Sequence, residues 1–107
     1  MAFRVRILPR AELDAQLIVD WIRERSAEGA GRWWEAYTEA RARLQKGPLT
    51  CALAPEAEQS GRNVRHLQFK TRYGKYYRLL FIVVEDEVRI LRVRGPGQPA
   101  LMTDELE

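Results

Sequence analysis

The chain has 107 residues, a formal net charge of +3, one cysteine and one histidine. That length suits one domain with one modest core, because folding at this size buries roughly 65% of the surface of the unfolded chain. A lone Cys51 excludes an internal disulfide, Cys51 with His66 is too few residues for a zinc-type ligand set, and an apolar run no longer than Leu79 to Val84 is too short for a membrane span. The start MAFRVRILPR has no apolar run of signal-peptide type, and the expectation is a soluble cytoplasmic protein in a reducing compartment.

Phe3, Val5 and Ile7 alternate with Arg4, Arg6 and Leu8, which predicts a first strand with one buried face. Pro9 fits the first position of a helix, which is expected to run to about Ser26. Leu13, Leu17 and Trp21, with Ile18 and Ile22 beside them, form the stripe expected to face the core. Residues 27–31 contain two glycines and read as the break. A second helix is expected over about 31–46, with Trp33, Tyr37, Ala40 and Leu44 inward. Adjacent Trp33 and Trp34 cannot share one core face, so one of them belongs at the margin, where it can meet a partner. Residues 49–61 read as a connector. Three strands follow, around Leu67 and Phe69, over 77–84 and over 88–93, joined by turns at 70–75 and 85–87. Short connections make them an antiparallel meander. The order β-α-α-β-β-β predicts an α+β two-layer domain, a helical hairpin on one face of a mainly antiparallel four-stranded sheet, with the other face free for function.

Charge is unevenly placed. Residues 62–94 hold nine Lys and Arg against three acidic residues, whereas 1–61 balance and 95–107 are acidic. Arg65, His66, Lys70, Arg72, Lys75, Arg78, Arg89, Arg92 and Arg94 are interleaved with Tyr73, Tyr76 and Tyr77. Arginine grips phosphate with two hydrogen bonds and rings stack on bases, so this is a candidate nucleic-acid surface. The plainer reading is that strand cations block edge pairing. Metal-free RNA cleavage needs a base for the 2′-OH and cations over the developing charge. Arg78 opens a strand that is otherwise apolar. It either has a chemical task or pairs with an acidic residue, such as one on a helix. His66 is the one imidazole available as a base.

The set Ala11-Glu12-Leu13-Asp14, Arg32-Trp33, Leu53-Ala54-Pro55-Glu56, Val64-Arg65-His66-Leu67-Gln68-Phe69, Tyr77-Arg78-Leu79-Leu80-Phe81, Val88-Arg89-Ile90-Leu91-Arg92-Val93-Arg94 and Asp104-Glu105-Leu106, in this order, resembles the RelE/ParE superfamily of toxins from type II toxin–antitoxin (plasmid stabilisation) modules. The resemblance covers nearly the whole chain. It implies one of two activities, RelE-like metal-free cleavage of ribosome-bound mRNA or ParE-like inhibition of DNA gyrase, neither with a cofactor. It also implies a cognate antitoxin that neutralises the toxin by wrapping it. On the nuclease reading, the catalytic candidates are Arg78, Lys70, Arg72, Lys75 and His66. Target contacts fall to Arg65, Tyr73, Tyr76, Arg92 and Arg94, and antitoxin contacts to Trp34 and Arg89. Gln98 stands where many members carry a basic residue, and no Tyr or His follows it. The antitoxin is expected to bring an acidic, partly disordered segment that folds on binding. A non-toxic basic domain that binds nucleic acid or protein is the alternative.

Overall fold

The computed structural model describes residues 2–72 and 74–106. Strand β1 (Arg4–Ile7) is followed by helices α1 (Pro9–Arg23), α2 (Ala27–Arg43) and the short α3 (Pro55–Ser60), then by strands β2 (Arg65–Phe69), β3 (Tyr77–Val84) and β4 (Glu87–Arg94). Turns of 3-10 helix lie at Pro48–Thr50 and Thr103–Leu106. The sheet order is β1-β4-β3-β2. The last three strands form the expected antiparallel meander, and β1 lies parallel to β4 with Val5 beside Val88 and Ile7 beside Ile90. The chain is therefore an α+β protein with its helical hairpin on one face of a mixed four-stranded sheet. No helix among the described residues is long and apolar enough to cross a membrane.

Two expectations about the hairpin are corrected. The break between the helices is at Glu24 to Ser26, and residues 27–31 are already helical. Ser26 ends the ambiguity: its Oγ accepts a hydrogen bond from the Gly29 N–H at 2.9 Å, and a capping hydroxyl outweighs the glycines as a helix-start signal. Gly29 is there for close approach, since a Cβ at that position would lie 3.3 Å from Ile22 Cγ2.

The inward stripe of α1 is also not the expected one. Ala11, Ala15 and Val19 are buried against the sheet, whereas Leu13, Leu17 and Trp21 are 53%, 59% and 57% exposed; of the expected stripe only Ile18 and Ile22 pack against the core. Small side chains let the helix axis sit close to the sheet; the larger stripe points away. In α2 the expectation holds, with Trp33, Tyr37, Ala40 and Leu44 all buried. Trp33 stacks on Tyr37 with ring centroids 5.1 Å apart and meets Tyr77 edge-on at 5.6 Å. Such pairs add about 0.5–1.5 kcal/mol each beyond their burial. Trp34 is the marginal one, 43% exposed.

The second face of the sheet is not free. Leu80 and Leu91 pack there with Ala54 before α3, Val64 before β2, and Leu101 and Leu106 from the C-terminal segment. A bulge makes this possible: Leu80 pairs with Arg92 and Phe81 with Ile90, so Leu91 is the extra residue. Ile90 and Val93 can then both face the helices while Leu91 enters the second core. The connector 49–61, expected to be irregular, is what supplies α3 to this side.

Candidate functional site

The second face carries Arg78, Arg89, Arg92 and Arg94, whereas Arg65 lies on the helix side of β2 with Leu67 and Phe69; the structure shows what holds each. Pairing across the sheet sets Gln68 opposite Arg78 and Arg78 opposite Arg94, while His66 lies opposite Leu80. Arg78 meets its partner from α3. Pro55 starts this single-turn helix and Gly61, at φ +69°, ends it in the left-handed region that suits glycine. Glu56 is thereby held under the sheet with no exposed surface. Its two oxygens accept hydrogen bonds from Arg78 Nη1 at 3.0 Å and Nη2 at 2.9 Å, and Oε2 accepts a third from the Leu101 N–H at 3.1 Å. Burial pushes the Glu56 carboxyl up, but the hydrogen bonds from Arg78 and from backbone N–H groups outweigh it, leaving the group below its ordinary range. Of the two roles open to Arg78, this is the ion pair with a helix residue.

His66 adjoins that pair. Arg78 Nη1 is 3.4 Å from His66 Nδ1. The contact is long, and it is a hydrogen bond only for the tautomer that carries its proton on Nε2. Burial lowers the His66 pKa, the Arg78 charge lowers it further, and Glu56 opposes both. Both effects favour the neutral ring, which sits against the Arg78 guanidinium on its Nδ1 side. His66 lines a cleft of about 680 Å³ with Pro55, Glu58, Arg62 and Asn63.

Arg92 is likewise taken. Beyond Ile7 the chain turns into α1, so β4 loses its β1 neighbour, and Asp14 fills the vacated edge. Asp14 Oδ2 accepts from the Val93 N–H at 3.0 Å and from Arg92 Nε at 2.6 Å, and Oδ1 accepts from Arg92 Nη2 at 3.0 Å. Arg92 Nη1 donates to the Glu105 carbonyl at 2.7 Å, tying the C-terminal segment to the same knot. With 7% of its surface exposed, Arg92, expected as a target contact, presents little surface to one. Arg94 donates to the Pro99 carbonyl at 3.0 Å. Gln98, at the position of interest after the last strand, accepts from the Gly95 N–H and closes that turn. Arg65 donates to the Cys51 carbonyl at 2.6 Å. Cys51 itself is half-buried, and burial raises its thiol pKa against the nearby Arg65 and Arg43 charges, so it stays protonated. Arg89 is held by Glu87 at 2.6 Å and, with Arg4 and Arg6 opposite Glu87 and Arg89 on β1, marks the part of this face towards the start of β1.

The β2–β3 loop cations lie elsewhere. Arg72 and Lys75 line a cleft of about 540 Å³ together with Arg32 and Trp33 of α2, Ile22 of α1 and Tyr77. Lys70 sits 5.2 Å from the centre of the Tyr76 ring, and both side chains are exposed. Tyr73 lies outside the described residues. The proposed catalytic group is thus divided: Arg78 and His66 belong to the α3 side, Arg72 and Lys75 to the mouth of the helical hairpin. Arg32 and Glu56 were named in the sequence only as parts of the resembling segments and not as site residues; Glu56 also stands at the second position of a Pro-started helix. Among the described residues no group of three or more His, Cys, Asp or Glu is placed to hold a metal ion. No family model and no curated protein matches the chain.

Proposed function

We propose that the protein is the toxin of a two-protein toxin–antitoxin module and that it acts by occupying its target, with DNA gyrase the leading candidate, rather than by cutting RNA. The order β-α-α-β-β-β, with β1 parallel to the last strand, supports the RelE/ParE-like reading. The observation that carries the choice of mechanism is the Glu56–Arg78 pair. The strand arginine on which cleavage would depend is clamped by a fully buried carboxylate, and the neighbouring imidazole lies 3.4 Å from it. With its charge balanced by Glu56 and two of its N–H groups engaged there, Arg78 has little left to offer a developing phosphate charge.

A second reading, metal-free cleavage of ribosome-bound mRNA, draws support from the cleft that gathers Arg32, Arg72 and Lys75 beside Trp33 and Tyr77. The two are separated by adding purified protein to a gyrase supercoiling reaction and to a translation extract. The expected result is loss of supercoiling with translation and mRNA intact. Cleavage of mRNA in the extract, abolished by Lys75→Ala, overturns occupancy in favour of cutting. Harmless expression at high level, with neither effect, overturns the toxin reading and leaves a basic binding domain.

The partner that suits this surface is an antitoxin segment of acidic, partly disordered sequence that orders on binding. Exposed Trp34 and the Arg89 region supply one apolar and one cationic contact for it. A cytoplasmic site of action fits the protonated, half-buried thiol of Cys51.

A further inference from the structure

Helix α1 is apolar on two sides, and only one of them is used within the chain. The inner side is the Ala11, Ala15 and Val19 stripe. The outer side carries Leu13, Leu17 and Trp21, each more than half exposed, in a protein whose other large side chains are mostly inside. A contiguous apolar stripe of this kind marks an interaction surface. The apolar ground continues beside it: Leu17, Ile18 and Trp21 form one wall of a groove of about 390 Å³ whose other side is Tyr77, Gly95, Pro96 and Gln98. Arg25 lies over Trp21, its guanidinium carbon 3.8 Å from the ring centre, yet the indole remains exposed.

The order of residues along this stripe says what fits it. Reading outward from Leu17 in both directions, the outer positions are Leu13 and Trp21, then Arg10 and Glu24, with spacings of four and three residues on each side. At about 100° per residue all five fall within roughly 40° of one line along the helix. The stripe is palindromic in spacing and in polarity, apart from the sign of charge at its two ends, which is opposite. Arg10 and Glu24 are both exposed, and Glu24 lies 3.7 Å from Arg25 Nη1 in a solvent-exposed contact that a partner's arginine can join. Opposite signs at equal distances from the centre are the condition for self-complementarity: a two-fold axis at Leu17 sets Leu17 against its own copy, Leu13 beside the partner's Trp21, and Arg10 beside the partner's Glu24. An isologous interface requires this match of a patch with its own reverse.

We propose that the outer face of α1 is a homodimer interface in which two copies of this chain pack their first helices antiparallel about Leu17. Helices pack at 8–10 Å with interleaved side chains, and the four-residue steps between Leu13, Leu17 and Trp21 form the ridge such packing uses. The end charges fix the antiparallel sense, because a parallel pair would place Arg10 against Arg10 and Glu24 against Glu24.

Sedimentation equilibrium of the full-length protein over a wide concentration range tests this. The wild type is expected to be a reversible dimer. Leu17→Lys places two ammonium groups across the axis and is expected to weaken association by about 100-fold or more. The position is exposed, and circular dichroism verifies that the variant is folded. Arg10→Glu and Glu24→Arg should each weaken the dimer, and the double variant Arg10→Glu/Glu24→Arg should restore it, an outcome that a different protein seated on the stripe cannot produce. A chain that is monomeric at every concentration overturns the proposal and leaves the stripe to another occupant such as an antitoxin helix. A dimer unaffected by Leu17→Lys also overturns it, by placing the interface on another face. Neither result bears on whether the protein inhibits growth.

Discussion

Glu56 is the residue on which the second core is centred. One carboxylate, fully buried, satisfies two N–H groups of Arg78 and one of Leu101, linking α3, β3 and the C-terminal segment. Removing one partner of such a pair leaves an uncompensated charge in a poorly solvated place. Glu56→Ala is therefore expected to cost about 3–5 kcal/mol, measured by urea unfolding. The double variant Glu56→Met/Arg78→Met should recover most of that loss, since well-packed apolar replacements of buried ion pairs are often neutral. A double variant as unstable as Glu56→Ala would mean that the Leu101 contact, and not the charge pair, is what stabilises the region. His66 adds a pH dependence of defined sign. Its folded pKa lies below its ordinary value of 6.5, so its contribution to stability is complete above 6.5 and is lost as pH falls through the lower folded value. Glu56 is likewise held below its ordinary 4.5, and its contribution is lost only at more acidic pH, through its own folded value. The urea midpoint should begin to fall below pH 6.5, and His66→Gln should abolish this upper step while leaving the lower one. A variant that follows the wild type between pH 6.5 and the Glu56 range would remove His66 from the account.

At the scale of elements, the turn between β3 and β4 is as short as a hairpin allows. Two residues, Glu85 and Asp86, connect the strands, and Glu85 has φ +58°. A left-handed conformation costs an L residue about 1–2 kcal/mol, and glycine avoids that cost while giving back about half in chain entropy. Glu85→Gly should therefore raise stability by about 0.5–1 kcal/mol, seen as a melting temperature higher by about 3–6 °C; a lower one would show that Glu85 makes a favourable contact outweighing its strain. Strands were the most legible elements in this sequence: β3 has the expected bounds and ends where its apolar run does, because a strand covered on both faces has few polar positions to blur it. Helix α2 was legible in its inward face but not in its start, which the serine hydroxyl decides. Helix α1 was misread for a physical reason. Periodicity reports that an apolar stripe exists and not which of two stripes faces in, and alanine at Ala11 and Ala15 is a weak signal of burial until the distance to the sheet is known. The site was legible in its members but not in its grouping. Arg78 was marked by its place in an apolar strand, but its partner sat in a segment with no period to betray it.

For the molecule as a whole, the basic segment at 62–94 does not form a single positive plate. Ion pairs and a folded-back C-terminal segment divide it into a covered part around Arg78 and Arg92, a part near the start of β1 with Arg4, Arg6 and Arg89, and a cleft at the hairpin mouth with Arg32, Arg72 and Lys75. The cations thus form separate stations, and surface charge alone is a poor guide to where a partner would dock. The place of β1 at the sheet edge has a further meaning. Its one neighbour in the sheet is β4, the last strand, more than eighty residues away along the chain. Closing so long a loop before any of its pairing is gained is slow, so the kinetics of refolding should lie in the slow range for a domain of this size, with β1 docking late. Until it does, the helical hairpin has no complete sheet to cover, and the interval between synthesis of the first strand and arrival of the last is when this chain is most exposed to aggregation or to capture by another protein.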